Sequence, residues 1–198
     1  LGVSINSLLY LVIEHGDSFS DTDSLSKNVN EIFNFLLKHG QVSENSYSLL
    51  IKFWAQIGKV SKATDVLSEM QKAKVMPHIR TYRPLISVAP DFDYLQRIYN
   101  DIKAQSLTPD LETWEKIFRK LKELSIVDLN VWQKFWTDFS RLHWRIDDFL
   151  VDIMISLFPE KCQWIDVDKF GKCSDGNQLE SIDLTREQKL SLAQLLSR

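Results

Sequence analysis

Glycine and proline are scarce, at six and five in 198 residues. That excludes an architecture of many short strands, which needs both residue types at its corners. Cysteine is nearly absent. Cys162 and Cys173 are too few for a disulfide framework, and they suit a reducing compartment. Long hydrophobic runs are missing as well. The longest, Leu8 to Ile13, is far too short to cross a bilayer, so no membrane partner is expected. No secretory signal is visible. The chain opens on Leu1, which is compatible with a removed presequence and with a trimmed start alike. Excess positive charge is lacking, with a net charge of −3, and this argues against strong autonomous binding of nucleic acid. There is no P-loop, no glycine-rich phosphate cradle and no Ser/His/Asp set.

What the chain has is amphipathic helical pattern and aromatic residues. Residues 44–78 hold two such patterns back to back. Tyr47, Leu50, Ile51 and Trp54 recur at helical spacing, and Gly58 ends the run. Ala63, Val66, Leu67 and Met70 follow at the same spacing, and Pro77 lies beyond them. Glycine tolerates the left-handed cap conformation and proline cannot donate the next helical hydrogen bond, so both are stop signals. A helical hairpin cannot bury both its faces alone, so such a unit expects neighbours of its own kind.

The neighbours are present. Residues 3–15 read as a helix with Ile5, Leu8, Leu9 and Val12 on one face. Residues 17–26 read as an exposed polar loop, and residues 28–39 as a second helix with Ile32, Phe35 and Leu36 inward. Residues 79–110 repeat the hairpin, with Thr81, Tyr82, Leu85 and Ile86 at its start and Pro84 placed in its first helical turn, where a missing N–H is tolerated. A fourth hairpin starts at Leu111, its second helix spanning residues 129–143. Trp132, Phe135, Trp136 and Phe139 form a stripe there that reads as core, with a partner surface as the alternative. Residues 146–158 form a last apolar helix before Pro159. Asp147, Asp148 and Asp152 on it read as solvated charges rather than as a metal cluster. Beyond Pro159, short strand-like pieces and turn signals precede a final helix over residues 185–196, with Thr185 as its N-cap.

Tyr47, Ser48, Leu50, Ile51, Gly58, Ala63, Met70 and Pro77 fall in register with the pentatricopeptide repeat, and the unit resembles that family. The tail resembles the central linker of protein-only ribonuclease P. Trp164, Gly171, Cys173, Ser174, Gly176, Ser181, Ile182, Leu184 and Glu187 follow that family's order. The knuckle of the family has a second cysteine that this chain lacks. Tetrahedral zinc needs four ligands, so no metal site is expected here, and Cys173 reads as a small buried hydrophobe.

The resemblance implies an all-α fold: a right-handed superhelical array of helix-turn-helix repeats over residues 1–158, with a small β-containing linker module over residues 159–198. It implies a substrate-recognition part of ribonuclease P acting on the 5′ ends of precursor tRNA in the mitochondrial matrix. Magnesium would be held by a separate metallonuclease chain, with no cofactor or catalytic residue in this one. A tRNA methyltransferase and a short-chain dehydrogenase-like subunit are implied partners. The nuclease would dock on the tail near Trp164, Cys173 and Ile182. In this family the fifth and last residues of a repeat point at a base. Those positions are Ser48 with His78, Arg83 with Asp110, Glu115 in the fourth repeat and Asn6 in the first. Neither complete pair is a good base reader, which favours recognition of folded RNA by shape and backbone. Lys52, His78, Arg80 and Arg83 are the candidates for phosphate or stacking contacts. The positive charge gathers in the same region: residues 44–122 hold 13 Lys and Arg against 9 acids, whereas residues 1–43 hold 2 against 5 and residues 123–198 hold 9 against 13. The second reading is a non-catalytic organellar RNA-binding or ribosome-associated scaffold, which would have no reason to carry the tail.

Overall fold

The structure, a computed structural model, describes residues 7, 10, 13, 22–126 and 128–141. Seven helices lie in this range: α1 (Thr22–Lys38), α2 (Glu44–Gln56), α3 (Val60–Lys72), α4 (Ile79–Ser87), α5 (Phe92–Ala104), α6 (Leu111–Glu123) and α7 (Leu129–Ser140). No strand occurs among the described residues. Ser7, Tyr10 and Ile13 are helical, and Ile13 is buried. The expected helix over residues 146–158, the strand-like tail and the final helix lie outside the described residues. The chain divides into two compact units, Leu1–Thr113 and Trp114–Arg198.

In the first unit, α2 packs against α1, α3 and α4, and α4 packs in turn against α5. Three neighbours explain why α2 is buried almost all round. Leu49, Phe53 and Ala55 are covered as well as the expected Tyr47, Leu50, Ile51 and Trp54. The helix α3 has one neighbour fewer on its outer side, and it buries only the single stripe of Ala63, Val66, Leu67 and Met70. On α5 the covered residues are Tyr94, Leu95, Ile98, Tyr99 and Ile102.

Three sequence expectations are corrected here. Residues 22–26 are not loop: α1 starts at Thr22, and Leu25 and Ser26 are buried. The polar run Thr-Asp-Ser has turn composition, but the same residues favour helix starts. The inward stripe of α1 is Leu25, Val29, Phe33 and Leu36, and Phe35 is exposed, its ring resting on His39 at 4.2 Å. A helix begun six residues earlier, at Thr22 instead of residue 28, fixes this phase, because Leu25 and Val29 are one turn apart. Pro84 is the sixth residue of α4, not part of its first turn. It therefore removes a bond that the Arg80 carbonyl would otherwise accept, an interior position that costs about 3 kcal/mol in an isolated helix. Tyr82, Leu85 and Ile86, all essentially inaccessible, hold the short helix in place around it.

The ends of α1, α2, α3, α5 and α6 follow one rule. Gly40, Gly58, Lys74, Ser106 and Ser125 all have positive φ, between 53° and 73°. Each precedes a residue whose N–H bonds back five positions, as Lys59 does to Trp54 and Val75 to Met70. This is the Schellman closure, and it turns the chain sharply into the next element.

In the second unit, Trp114 and Phe118 of α6 meet Trp132 and Phe139 of α7, and Trp136 packs on Phe139. Phe118 stacks on Trp132 at 5.6 Å and meets Phe139 edge-on at 5.6 Å. The indole N–H of Trp132 donates to the Ile126 carbonyl at 2.7 Å. All four residues of the expected aromatic stripe are buried, so it is core within these two helices.

The turns allow a direct test. A Cβ at Gly58 would meet nothing within 4 Å, so Gly58→Ala carries only the conformational penalty of a left-handed residue. Denaturant unfolding should show a loss of about 1 kcal/mol. Lys74→Gly, at φ 56°, should move stability the other way, by up to about 1 kcal/mol.

Candidate nucleic-acid interface

The first helices of the second, third and fourth repeats start with a related device. Ser43, His78 and Asp110 stand at the N-cap positions of α2, α4 and α6, and Ser46, Thr81 and Thr113 follow three residues later. All three hydroxyl residues are fully buried. The Ser43 N–H donates to Ser46 Oγ at 3.0 Å, and the Ser46 N–H donates to Ser43 Oγ at 3.3 Å. In the next repeat, the His78 N–H donates to Thr81 Oγ1 at 3.3 Å, and His78 Nδ1 accepts from the Arg80 N–H at 3.3 Å. In the one after, Asp110 Oδ1 accepts from the Thr113 N–H at 3.0 Å and from the Thr113 hydroxyl at 2.7 Å. The caps satisfy orphan donors at the helix starts, and a side-chain cap contributes about 1 kcal/mol.

Ser48 and Arg83, the fifth residues of the second and third repeats, then reach the hydroxyl three residues into the next first helix. Ser48 Oγ lies 2.7 Å from Thr81 Oγ1, and Glu44 Oε1 lies within reach of both hydroxyls, at 2.7 and 3.0 Å, so the two hydroxyl protons make two of these three bonds at a time. One repeat on, Arg83 Nε donates to Thr113 Oγ1 at 3.2 Å. The rest of the Arg83 guanidinium forms ion pairs with Asp110 and Glu112. The Arg83 side chain is only 15% exposed. Burial alone would raise the Asp110 pKa, but the two Thr113 hydrogen bonds and the Arg83 charge outweigh it and hold the carboxyl below its usual value.

A second ladder joins the second helices. The Thr64 and Tyr94 hydroxyls lie 2.8 Å apart, and Asp101 Oδ2 accepts from Gln71 at 2.8 Å and from Tyr82 at 2.7 Å. Burial and the hydrogen bond to Asp101 push the Tyr82 phenol far up, so it stays a donor at any ordinary pH.

The sequence-nominated residues therefore fall into distinct classes. Ser48, His78, Arg83 and Asp110 are brought together in the cap ladder, with polar atoms engaged inside the protein. Arg83 faces two carboxylates, and the local charge of that trio is −1. Arg80 is exposed on the first turn of α4, with no ion pair among the described residues. Lys52 is half-buried on α2, and Glu115 is half-buried on α6. Asn6, Trp164, Cys173 and Ile182 lie outside the described residues. Glu112 and Thr113, the partners that occupy Arg83, were missed by sequence reasoning. Their signal was the Asp-x-x-Thr capping spacing at the repeat junction. Among the described residues no group of three or more His, Cys, Asp or Glu is placed to hold a metal ion, and no helix is long and apolar enough to cross a membrane.

The Asp110 cap predicts a pH signature. Its carboxyl is depressed in the fold, so its contribution is complete above the usual value of 3.8 and fades as pH falls through the lower folded value. Asp110→Asn should remove that acid-side loss while keeping a capping oxygen. Asp110→Ala should cost about 1–2 kcal/mol at neutral pH, read by denaturant unfolding from pH 7 to 2.5.

Comparison with known proteins bears on the whole arrangement. Residues 3–89 match the family model described as the pentacotripeptide-repeat region of PRORP. No curated protein matches the sequence. Among solved structures, the chain is similar to nuclear proteinaceous RNase P 2 (PRORP2) from A. thaliana, with a TM-score of 0.61 and 16% identity over 80% of this chain and 35% of that one. It is also similar to the pentatricopeptide repeat protein PPR10 in complex with an 18-nt psaJ RNA element, with a TM-score of 0.52 and 14% identity over 79% of this chain and 25% of that one. A triple cysteine-to-serine variant of PPR10 with the same RNA gives the same values. The chain thus spans 35% or less of the length of these solved proteins. At such identities the likeness is one of fold, and the described residues form an all-helical repeat array with the fold of pentatricopeptide proteins.

Proposed function

We propose that this chain is the RNA-recognition part of a protein-only ribonuclease P, holding precursor tRNA while a magnesium-dependent nuclease cuts its 5′ leader. The observation that carries this reading is the match of residues 3–89 to the repeat region of PRORP. The fold likeness to the A. thaliana RNase P supports it, and PPR10, whose solved form holds RNA, supports the coarser reading of an RNA-binding array.

The cap ladder bears on how RNA is held. Ser48 with His78 and Arg83 with Asp110 occupy the positions that would face bases, and each is bonded within the protein. A base edge would have to compete with those bonds, which disfavours letter-by-letter reading of a single strand. Backbone and shape recognition of a folded RNA fits better, with Arg80 and Lys52 as phosphate contacts and Asn6 and Glu115 as further contacts on the first helices. Cleavage belongs to a separate nuclease chain whose carboxylates hold Mg2+, docked on the tail near Trp164, Cys173 and Ile182. The resemblance also carries over a tRNA methyltransferase and a short-chain dehydrogenase-like protein as partners, and the mitochondrial matrix as the place. The PPR10 likeness favours, as a second reading, an array that binds a linear RNA element without taking part in cleavage.

Two measurements separate these readings. The chain should bind a folded precursor tRNA more tightly than an unstructured oligonucleotide of 18 nucleotides, the length bound by PPR10. The salt dependence should be shallow, in keeping with few phosphate contacts. Arg80→Ala should weaken precursor tRNA binding several-fold, whereas Arg83→Ala should chiefly lower stability. Preference for the unstructured strand would favour the second reading. In a reconstituted assay, this chain and a magnesium-loaded nuclease should together cleave the leader, and deletion of residues 161–198 should abolish that activity. Cleavage by this chain alone would overturn the assignment.

A further inference from the structure

We infer that a groove at the turn side of the second and third repeats is a binding site for RNA phosphates, separate from the cap ladder. The inference rests on the RNA-binding reading above and adds a site to it. The groove encloses about 710 Å³ and is lined by Lys59 and Lys62 from the start of α3, and by Tyr94 and Arg97 from α5. It lies at the far end of α2 from Ser43, about 20 Å along a helix of 13 residues.

Three features describe how its charge is presented. First, Lys62 and Arg97, like Arg80, have no carboxylate at ion-pair distance among the described residues, whereas Arg83 has two, Lys120 has Glu123 and Arg141 has Asp138. Lys59 has only a long contact with the exposed Asp23, at 3.8 Å. Asp65 is the one carboxylate in the lining, so the groove carries a net charge of +2. Second, the cationic heads are held over rings. Lys62 Nζ stands 4.4 Å from the centre of the Trp54 ring, Lys59 Nζ 5.7 Å from the same ring, and the Arg97 guanidinium 5.5 Å from Tyr94. An aromatic face orients a cation without using up its N–H donors, which remain available to phosphate oxygens. Third, Trp54 is buried and Tyr94 is hydrogen-bonded to Thr64, so the platforms themselves are fixed. A net charge of +2 in a chain of net charge −3 is a local field of the sign that an RNA backbone seeks. A folded RNA presents phosphates on more than one side, so it can engage this groove and Arg80 together.

The test measures binding of folded precursor tRNA by the full chain across a salt series. In Lys62→Gln/Arg97→Gln, the slope of log affinity against log salt should fall by about 1.5–2, with affinity near 0.15 M salt down about tenfold or more. The conservative Lys62→Arg/Arg97→Lys should retain both slope and affinity. Lys72→Gln/Lys74→Gln, which removes the same charge from the far end of α3, should change the slope less. Thermal unfolding of every variant should match the unaltered chain, since both groove cations are exposed. An unchanged slope in the groove variant, or an equal fall in the Lys72/Lys74 control, overturns the groove while leaving RNA recognition standing. Absence of RNA binding by the unaltered chain overturns both.

Discussion

A buried hydroxyl three residues into the first helices of the second, third and fourth repeats is the contact on which the described array depends. Ser46, Thr81 and Thr113 have no access to solvent, so each must find its partners inside the protein. Each closes the start of its own helix. Thr81 and Thr113 also take the side chain of the fifth residue of the preceding repeat. A single small polar group therefore ends the chain reversal and sets the spacing to the neighbour. An apolar residue there would remove the acceptor of the Ser43 and His78 N–H groups and one partner of the fifth side chain. The side chain at the fifth position varies from a hydroxyl in Ser48 to a guanidinium in Arg83, yet the bond to the next repeat persists.

The apolar packing is organised around this frame. The helix α2 lies against α1, α3 and α4 and is covered nearly all round, whereas α3 covers one stripe. Within the second unit, the rings of Trp114, Phe118, Trp132, Trp136 and Phe139 gather at centroid distances of 5.3 to 5.7 Å. Aromatic pairs at such separations add about 0.5–1.5 kcal/mol each beyond their buried area. The aromatic content of the chain is shared between that core and the first unit, where Phe33, Tyr47, Phe53, Trp54 and Tyr82 are buried.

The fold was readable where periodicity and stop signals agreed. Tyr47, Leu50, Ile51, Trp54 and Gly58 all do what their spacing suggests, as do the four buried residues of α3. Reading failed where one residue type serves two purposes. Thr22, Asp23 and Ser24 look like loop and open a helix. Pro84 looks like a first-turn residue and sits in the second turn, held there by burial on either side. Lys74, Ser106 and Ser125 turn helices with left-handed geometry that glycine would have announced. The candidate interface was legible only as positions. That Arg83 and Asp110 occupy corresponding sites followed from the repeat, but that they pair with each other, and with Glu112 and Thr113, depends on contacts across the junction. The cation groove was invisible for the same reason, because Lys62 and Arg97 are brought to one place only by the stacking of two repeats.

The reach of the inter-repeat ladders has a consequence for how the chain is made. Hydrogen bonds between neighbouring repeats, such as Thr64 with Tyr94, Ser48 with Thr81 and Glu44 with Thr81, join residues 30 to 37 apart in sequence. Contacts of such short span carry little loop-closure entropy and favour fast assembly. A hairpin can therefore dock on its predecessor as soon as it leaves the ribosome, at a point when later repeats have not yet been translated. Assembly of these repeats is vectorial, and the array has no need to wait for its own C-terminus.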